Sequence, residues 1–359
     1  MIRPKTPTTT GAAHLEEAGL RILQTASRAP SSHNIQPWRV KVLEPRRWIV
    51  CADPARRLPA VDPDNREPLL SIGAFLENLA LAAGSLGLRA DFAYLGDDPL
   101  AQDLVEVLLT EAPPTGYPLD RIARRRTLRN GFRDTPISAA HVAALLTPFR
   151  GQAHFLAQDS KDGRYLGEGT LEAFRQQSWR DVAQAELADW IRFAPEEARR
   201  TRDGLTPATM EIDGIGGWFL RRFYVKEKVM TPGFRERGIK GVAEQVGHAG
   251  GWVVVWAPDR SVPGLLETGR RLQRCLLSVR EMGIAAHPMT QMIQERPWRD
   301  ELASRLDVPG VPQLILRIGY VDAYPDPVSL RRPVEDFVLQ APALEASHES
   351  TAREDSPCA

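Results

Sequence analysis

Apolar residues at Leu15, Ala18, Ile22, Leu23 and Ala26 have the spacing of one helix face, and Pro30 with Ser31 and Ser32 stops that run in a polar turn. Residues 38–43 and 48–52 then read as short strands joined across Pro45, Arg46 and Arg47. A Pro-rich polar stretch, 58–68, leads into a long apolar helix over about 69–86, and further strands are predicted at 251–257 and 313–320. Residues 166–241 hold a charged amphipathic helix through Trp190 and a run of glycines and aromatics at 213–220. An irregular insertion of this length usually covers a site or a partner surface.

The pattern repeats. Laid without gaps, Leu69-Leu70-Ser71-Ile72-Gly73 falls on Leu265-Leu266-Glu267-Thr268-Gly269, and the same register of 196 residues pairs Leu76 with Leu272, Leu81 with Leu277, Gly87 with Gly283 and Leu88 with Ile284. So long a period is no solenoid unit. It predicts two related α/β halves, 1–135 and 136–340, each with a long core helix leading into a strand. A lid is expected at about 195–245, between the two sets of elements, and the small, polar, acidic stretch 341–359 is expected to be disordered. Gly73 and Gly269 sit mid-helix, where glycine costs about 1 kcal/mol relative to alanine. A close crossing of the two helices near a pseudo-twofold axis would offset that cost; the plainer alternative is a pair of tolerated helix glycines.

Composition narrows the function. The 359 residues are 43% hydrophobic and 26% charged, as in ordinary globular proteins, and 46 cationic residues balance 46 acidic ones. That neutrality argues against a general nucleic-acid or anionic-membrane binder, and leaves local basic clusters to be judged singly. Cys51, Cys275 and Cys358 form neither a disulfide framework nor a zinc spacing, which fits a reducing cytoplasm. The histidines lack ligand spacing, so no metal is expected. Residues 1–13 have no apolar core, and no apolar stretch approaches the roughly 20 residues of a bilayer span. Nor is there a GxGxxG placed between a strand and a helix, a GxSxG turn or a Walker A loop.

The chemistry gathers in four runs. Ala29-Pro30-Ser31-Ser32-His33-Asn34-Ile35-Gln36-Pro37-Trp38 packs hydroxyls, an imidazole and two amides into one turn, groups able to grip a polar heterocycle edge. Arg124-Arg125-Arg126-Thr127-Leu128-Arg129 follows a short helix begun near Pro118; its forked cations suit phosphate, although Arg121, Arg125 and Arg129 also have the spacing of a solvated helix face. Leu330-Arg331-Arg332-Pro333 lies past the last predicted strand. Gly283 to Gln291 runs from the second long helix into a turn through Met289, Thr290 and Gln291.

Together these runs resemble the nitroreductase family of FMN flavoproteins, in its tandem Acg-like branch, over about residues 15–337. The first matches the family's APSSxNxQPW signature, with His33 in the variable slot, and the second is similar to its R-x-S-x-R/K pattern. The resemblance implies that Ser31, Ser32, His33, Asn34 and Gln36 meet the flavin, that Arg125 and Thr127 face its phosphate, and that Arg129 lies by the N1/O2 edge of the ring. It puts Arg332 on the phosphate, with Leu330 departing from the usual cation, and sets Met289, Thr290 and Gln291 against flavin N5. Gln291 is bulkier than the family's usual residue and narrows substrate access.

The motifs are divided between the halves, so one complete site should form at their junction: an α/β (α+β) nitroreductase-like fold, a pseudo-dimer in one chain with an inserted lid. The function implied is FMN-dependent hydride transfer from NAD(P)H to a nitro or quinone-like acceptor. The alternative is an FMN-storing protein whose lid occludes the flavin. No nucleic acid, membrane or obligate dimer partner is expected.

Overall fold

The computed structural model describes residues 15–340, so the expected disordered tail lies outside the described residues. The chain first lays down α1 (Glu17–Ala26), β1 (Trp38–Glu44), β2 (Arg47–Ala52), α2 (Arg66–Ser85), β3 (Leu88–Tyr94), β4 (Asp103–Glu111) and a single turn of helix, α3 (Asp120–Arg124). Then follow α4 (Ala139–Leu146), β5 (Ala153–Ala157), α5 (Lys161–Trp179), α6 (Asp181–Asp189), α7 (Pro195–Thr201), α8 (Gly214–Phe223), α9 (Pro232–Gly247) and β6 (Gly251–Ala257). The remainder is α10 (Val262–Ser278), β7 (Ile284–Pro288), α11 (Gln291–Gln294), α12 (Trp298–Arg305), β8 (Val311–Tyr320) and β9 (Val338–Gln340).

Two sheets result. One has the order β3-β4-β2-β1-β9 and the other β5-β6-β8-β7. The second is antiparallel throughout, and its β6 is buried at every position, as an unbroken apolar run requires. In the first sheet β9 alone is parallel to its neighbour, with Val40 opposite Val338. Residues 338–340 therefore complete the sheet that residues 38–111 begin. The insertion, α5 to α9, lies between β5 and β6, inside the second sheet's own stretch of chain.

Leu69, Ile72, Phe75, Leu76 and Leu79 of α2 are fully buried. By length and apolarity α2 could cross a bilayer, contrary to the expectation that no stretch would. However, 83% of its apolar window is buried within the protein, which makes it the central core helix.

It lies across α10, and the contact is reciprocal. A Cβ on Gly73 would come 2.1 Å from the carbonyl oxygen of Leu266, and one on Gly269 would come 2.1 Å from that of Leu70. The two contacts obey the 196-residue register found in the sequence, as the two sides of an isologous contact do. Around the crossing, Arg270 and Arg274 from α10 reach Glu77 of α2 at 3.2 and 2.7 Å, and Gln273 donates to Asn78 at 2.7 Å.

Candidate functional site

The turn after α1 is bent hard. His33, Asn34 and Gln36 all have positive φ, 48°, 55° and 52°, a left-handed backbone that ordinary residues adopt only when surroundings enforce it. The enforcement is visible. The Gln36 amide N–H donates to Ser31 Oγ, the Gln36 side chain donates to Arg202 O and accepts from the Arg332 amide, and Asn34 Nδ2 donates to Leu330 O at 3.1 Å. Arg332 Nη2 donates to Gln36 O at 2.7 Å and to Trp38 O at 2.9 Å.

Three residues expected on the ligand also hold the turn, and Arg332 keeps a buried, unpartnered Nε. Asn34, Gln36 and Arg332 are buried, and their polar groups clamp the backbone of the turn. The reason is hydrogen-bond supply: a loop this contorted leaves carbonyls and amides that no ladder satisfies, and these side chains satisfy them.

The neighbouring arginine holds the start of the same turn. Arg331 donates to Asn34 Oδ1 at 2.9 Å and to Ala29 O at 3.1 Å, yet its Nε is buried without a partner. Burial, with Arg125 and Arg28 close by, pushes its pKa down to about 9. Burial likewise brings Arg125 down to about 10; Arg125 donates to Thr127 Oγ1 at 3.3 Å, and its own Nε is also buried and unpartnered. No carboxylate pairs with either guanidinium among the described residues. Helix α3 ends at Arg124, so the basic run is an extended loop at this point and not a solvated helix face.

Glu67, at the start of α2, joins the parts. This buried carboxylate accepts from Arg66 at 3.1 Å, from Thr290 at 3.3 Å and from Gln294, and it also takes a hydrogen bond from Ser32. Burial raises its pKa, but Arg66, Ser32, His33 and Gln294 outweigh that and hold it below the usual range. His33 is driven the other way from a normal imidazole: burial lowers its pKa, nearby Glu67 opposes and nearby Arg129 adds to the lowering, and its Nδ1 has no partner. Gln291 Oε1 is similarly buried and unpartnered, Met289 is buried with its N–H on Ile315 O, and His287 is held neutral by burial and by Arg129 and Arg317. All four sequence runs therefore meet in one region.

A piece of the insertion closes on this region. The Gly204 carbonyl accepts from Asn34 and its N–H donates to Asn34 O, Asp203 pairs with Arg56 at 2.8 Å, and Glu211 accepts from the backbone N–H groups of Arg129 and Asn130 at 3.0 and 2.9 Å. The aromatics of the expected lid do not take part, since Trp218 and Phe219 stand 56% and 48% exposed. A hollow of about 230 Å³ beside β5 shares no lining residue with the four runs.

Sequence reasoning missed Glu67, Arg331 and Glu211. A charged residue at the start of a mostly apolar helix was the available signal for Glu67; Glu211 offered none.

The chain is similar over most of its length to proteins provisionally named NAD(P)H nitroreductases. It is 26% identical over 337 residues to Rv3131 of Mycobacterium tuberculosis, covering 88% of this chain and 90% of that one. To Acg of the same organism it is 27% identical over 329 residues, covering 88% and 93%. To PigM of Serratia sp. it is 24% identical over 322 residues, covering 85% and 88%. Among solved structures, the FMN-dependent nitroreductase NfnB of Mycobacterium smegmatis in complex with NADPH aligns with 58% of this chain and 92% of that one, at 16% identity and a TM-score of 0.36. No family model matches. The chain is thus similar over most of its length to proteins named as nitroreductases, and its match to nearly the whole of Acg is consistent with the Acg-like branch.

Proposed function

We propose that the protein is an FMN-dependent NAD(P)H oxidoreductase of the nitroreductase type, in which residues 1–135 and 136–340 form a pseudo-dimer around one flavin and the insertion acts as its lid. The observation that carries this reading is the set of buried, unpartnered polar atoms on the four runs: His33 Nδ1, Trp38 Nε1, Arg125 Nε, His287 Nδ1, Gln291 Oε1, Arg331 Nε and Arg332 Nε. Such atoms are costly unless a polar ligand completes them. A buried cation whose proton affinity a nearby second cation lowers, as Arg125 does for Arg331, invites an anion, and the polar atoms around Glu67 suit a heterocycle.

Arg125, Thr127, Arg331 and Arg332 would hold the phosphate, both adjacent guanidiniums keeping a buried, unpartnered Nε. Ser32, His33, Arg129, Met289, Thr290 and Gln291 would border the ring, and Ser31 shapes the turn beneath it. When bound, FMN supplies hydride chemistry at N5 between NAD(P)H and a nitro or quinone-like acceptor. The protein's own part is positioning. Glu67 ties the Ser32 turn to Thr290 and Gln294, Arg129 adds positive charge, and the segment around Asp203 and Glu211 keeps water out.

The FMN-storing alternative is favoured by one thing, the bonds that fasten this cover to Asn34, Arg129 and Asn130. The visible spectrum of the purified protein, followed by anaerobic addition of NADPH and NADH, tests both readings. Flavin bands that bleach are expected; bands that persist support storage, and a colourless protein that does not take up added FMN removes both.

A further inference from the structure

Helix α8 is apolar on two sides. Its inner side is seated: a Cβ on Gly217 would lie 2.1 Å from Ile212 O, and Leu220 packs on the buried cluster of Phe193 and Val229. Its outer side has no protein against it. Ile215 is 86% exposed and Phe223 53%, and Trp218 and Phe219 lie between them at positions i+3 and i+4 from Ile215. The aromatic rings brace one another, with centroids 5.6 Å apart for Trp218 and Phe223 and 5.1 Å apart for Phe219 and Phe223. Phe219 also reaches the anchored Tyr224 at 6.2 Å. The result is a firmly held apolar ridge facing solvent.

Charge decides what fits it. Residues 213–228 carry Arg221, Arg222, Lys226 and Lys228 against only Asp213 and Glu227, although the chain as a whole is neutral. Lys226 is paired with Asp189, but Arg221, Arg222 and Lys228 have no ion pair among the described residues. Arg222 lies at i+7 from Ile215, on the apolar ridge itself. A second copy docking on this face would bring cation against cation. A bilayer surface with anionic headgroups offers apolar depth to the rings and phosphate to the arginines, the combination that holds interfacial helices.

We propose that α8 and the segment after it, through Lys228, form a membrane-surface anchor that seats the protein on anionic lipid. Neutral net charge had argued against an anionic-membrane binder; averaging over 359 residues hides a local cationic and aromatic patch. The anchor does not depend on the flavin.

The test is sedimentation of the full-length protein, as purified, with vesicles of phosphatidylcholine alone and of phosphatidylcholine with phosphatidylglycerol. Binding to the anionic vesicles is expected, weakened by salt. Changing Trp218, Phe219 and Phe223 together to Ser should weaken it by about tenfold or more, from the apolar burial lost. Arg221→Glu with Arg222→Glu should remove the preference for anionic lipid. These side chains are exposed, so the melting temperature should hold in each variant, and a variant that does melt early is replaced by Trp218→Ser alone. Absence of binding to both vesicles overturns the anchor, as does vesicle binding that the triple variant leaves unchanged. A concentration-dependent dimer that the triple variant disperses, without vesicle binding, also overturns it and assigns the face to a second copy.

Discussion

Arginines bridge the two halves of the chain at two places, and the two places treat them oppositely. Where α10 crosses α2, Arg270 and Arg274 meet Glu77, and the helices close until glycine is the only residue that fits. Where the C-terminal segment crosses the turn after α1, Arg331 meets Arg125 with no carboxylate between them, and buried nitrogens are left over. At the first the cations are paired with a carboxylate and the volume is filled, although Asn78 Nδ2 and Gln273 Oε1 stay buried without partners. At the second the cations have no carboxylate, so it is the charge balance that separates a structural joint from a binding one.

The largest test of that contrast is Gly73→Val. A Cβ 2.1 Å from a backbone oxygen cannot be relieved by rotating a side chain, so a loss of about 3 kcal/mol or more in chemical denaturation is expected. A variant as stable as the parent would mean that the crossing is loose. Next come the adjacent arginines. Arg332→Ala should destabilise the fold by about 1.5–3 kcal/mol, because two carbonyls of the turn lose a charged donor. Arg331→Ala, which takes donors from Ala29 O and Asn34 Oδ1, should also destabilise, and should weaken FMN about tenfold or more as read by flavin fluorescence titration. An unchanged FMN affinity in Arg331→Ala would take that guanidinium off the phosphate.

A pH series probes the joint between them. Asp62, which accepts the Glu67 amide N–H, is pushed up to about 6 by burial, with Glu67 adding to the rise against nearby Arg66. Its folded pKa therefore exceeds the unfolded value near 4, so its contribution is full below about pH 4 and is lost as pH rises to about 6. Glu67 has the opposite sign: its lowered pKa gives stability above the unfolded value that is lost as pH falls through the folded one. Asp62→Asn should remove a slope of about 2–3 kcal/mol between pH 4 and 6 in urea midpoints, and an unchanged slope would separate Asp62 from the site. The smallest effect belongs to a helix glycine with open space around it. Gly241→Ala in α9 should stabilise by about 0.5–1 kcal/mol, the reverse of Gly73.

How much of this was legible in sequence follows the same division. Strands β1, β2 and β6, the long helix α2 and the glycine register announce themselves because burial imposes a period on residue type. The turn was legible as a motif, but its internal wiring was not. Arg331 and Arg332 are chemically identical and adjacent, and only the path of the backbone decides which one donates to Gln36 and Trp38. Strand β9 is three residues long, too short for any pattern to reveal that it joins the other sheet. Trp218 and Phe219 resemble lid residues in composition, yet nothing in their spacing says which side of α8 the protein occupies.

The return of the chain's last described strand to β1 has a mechanical consequence. Arg331 hangs on the span between β8 and β9, residues 321–337, a cord fixed at one end in each sheet. Slack at either knot would slide that guanidinium away from Arg125, so the grip on an anion also reports whether both sheets are intact.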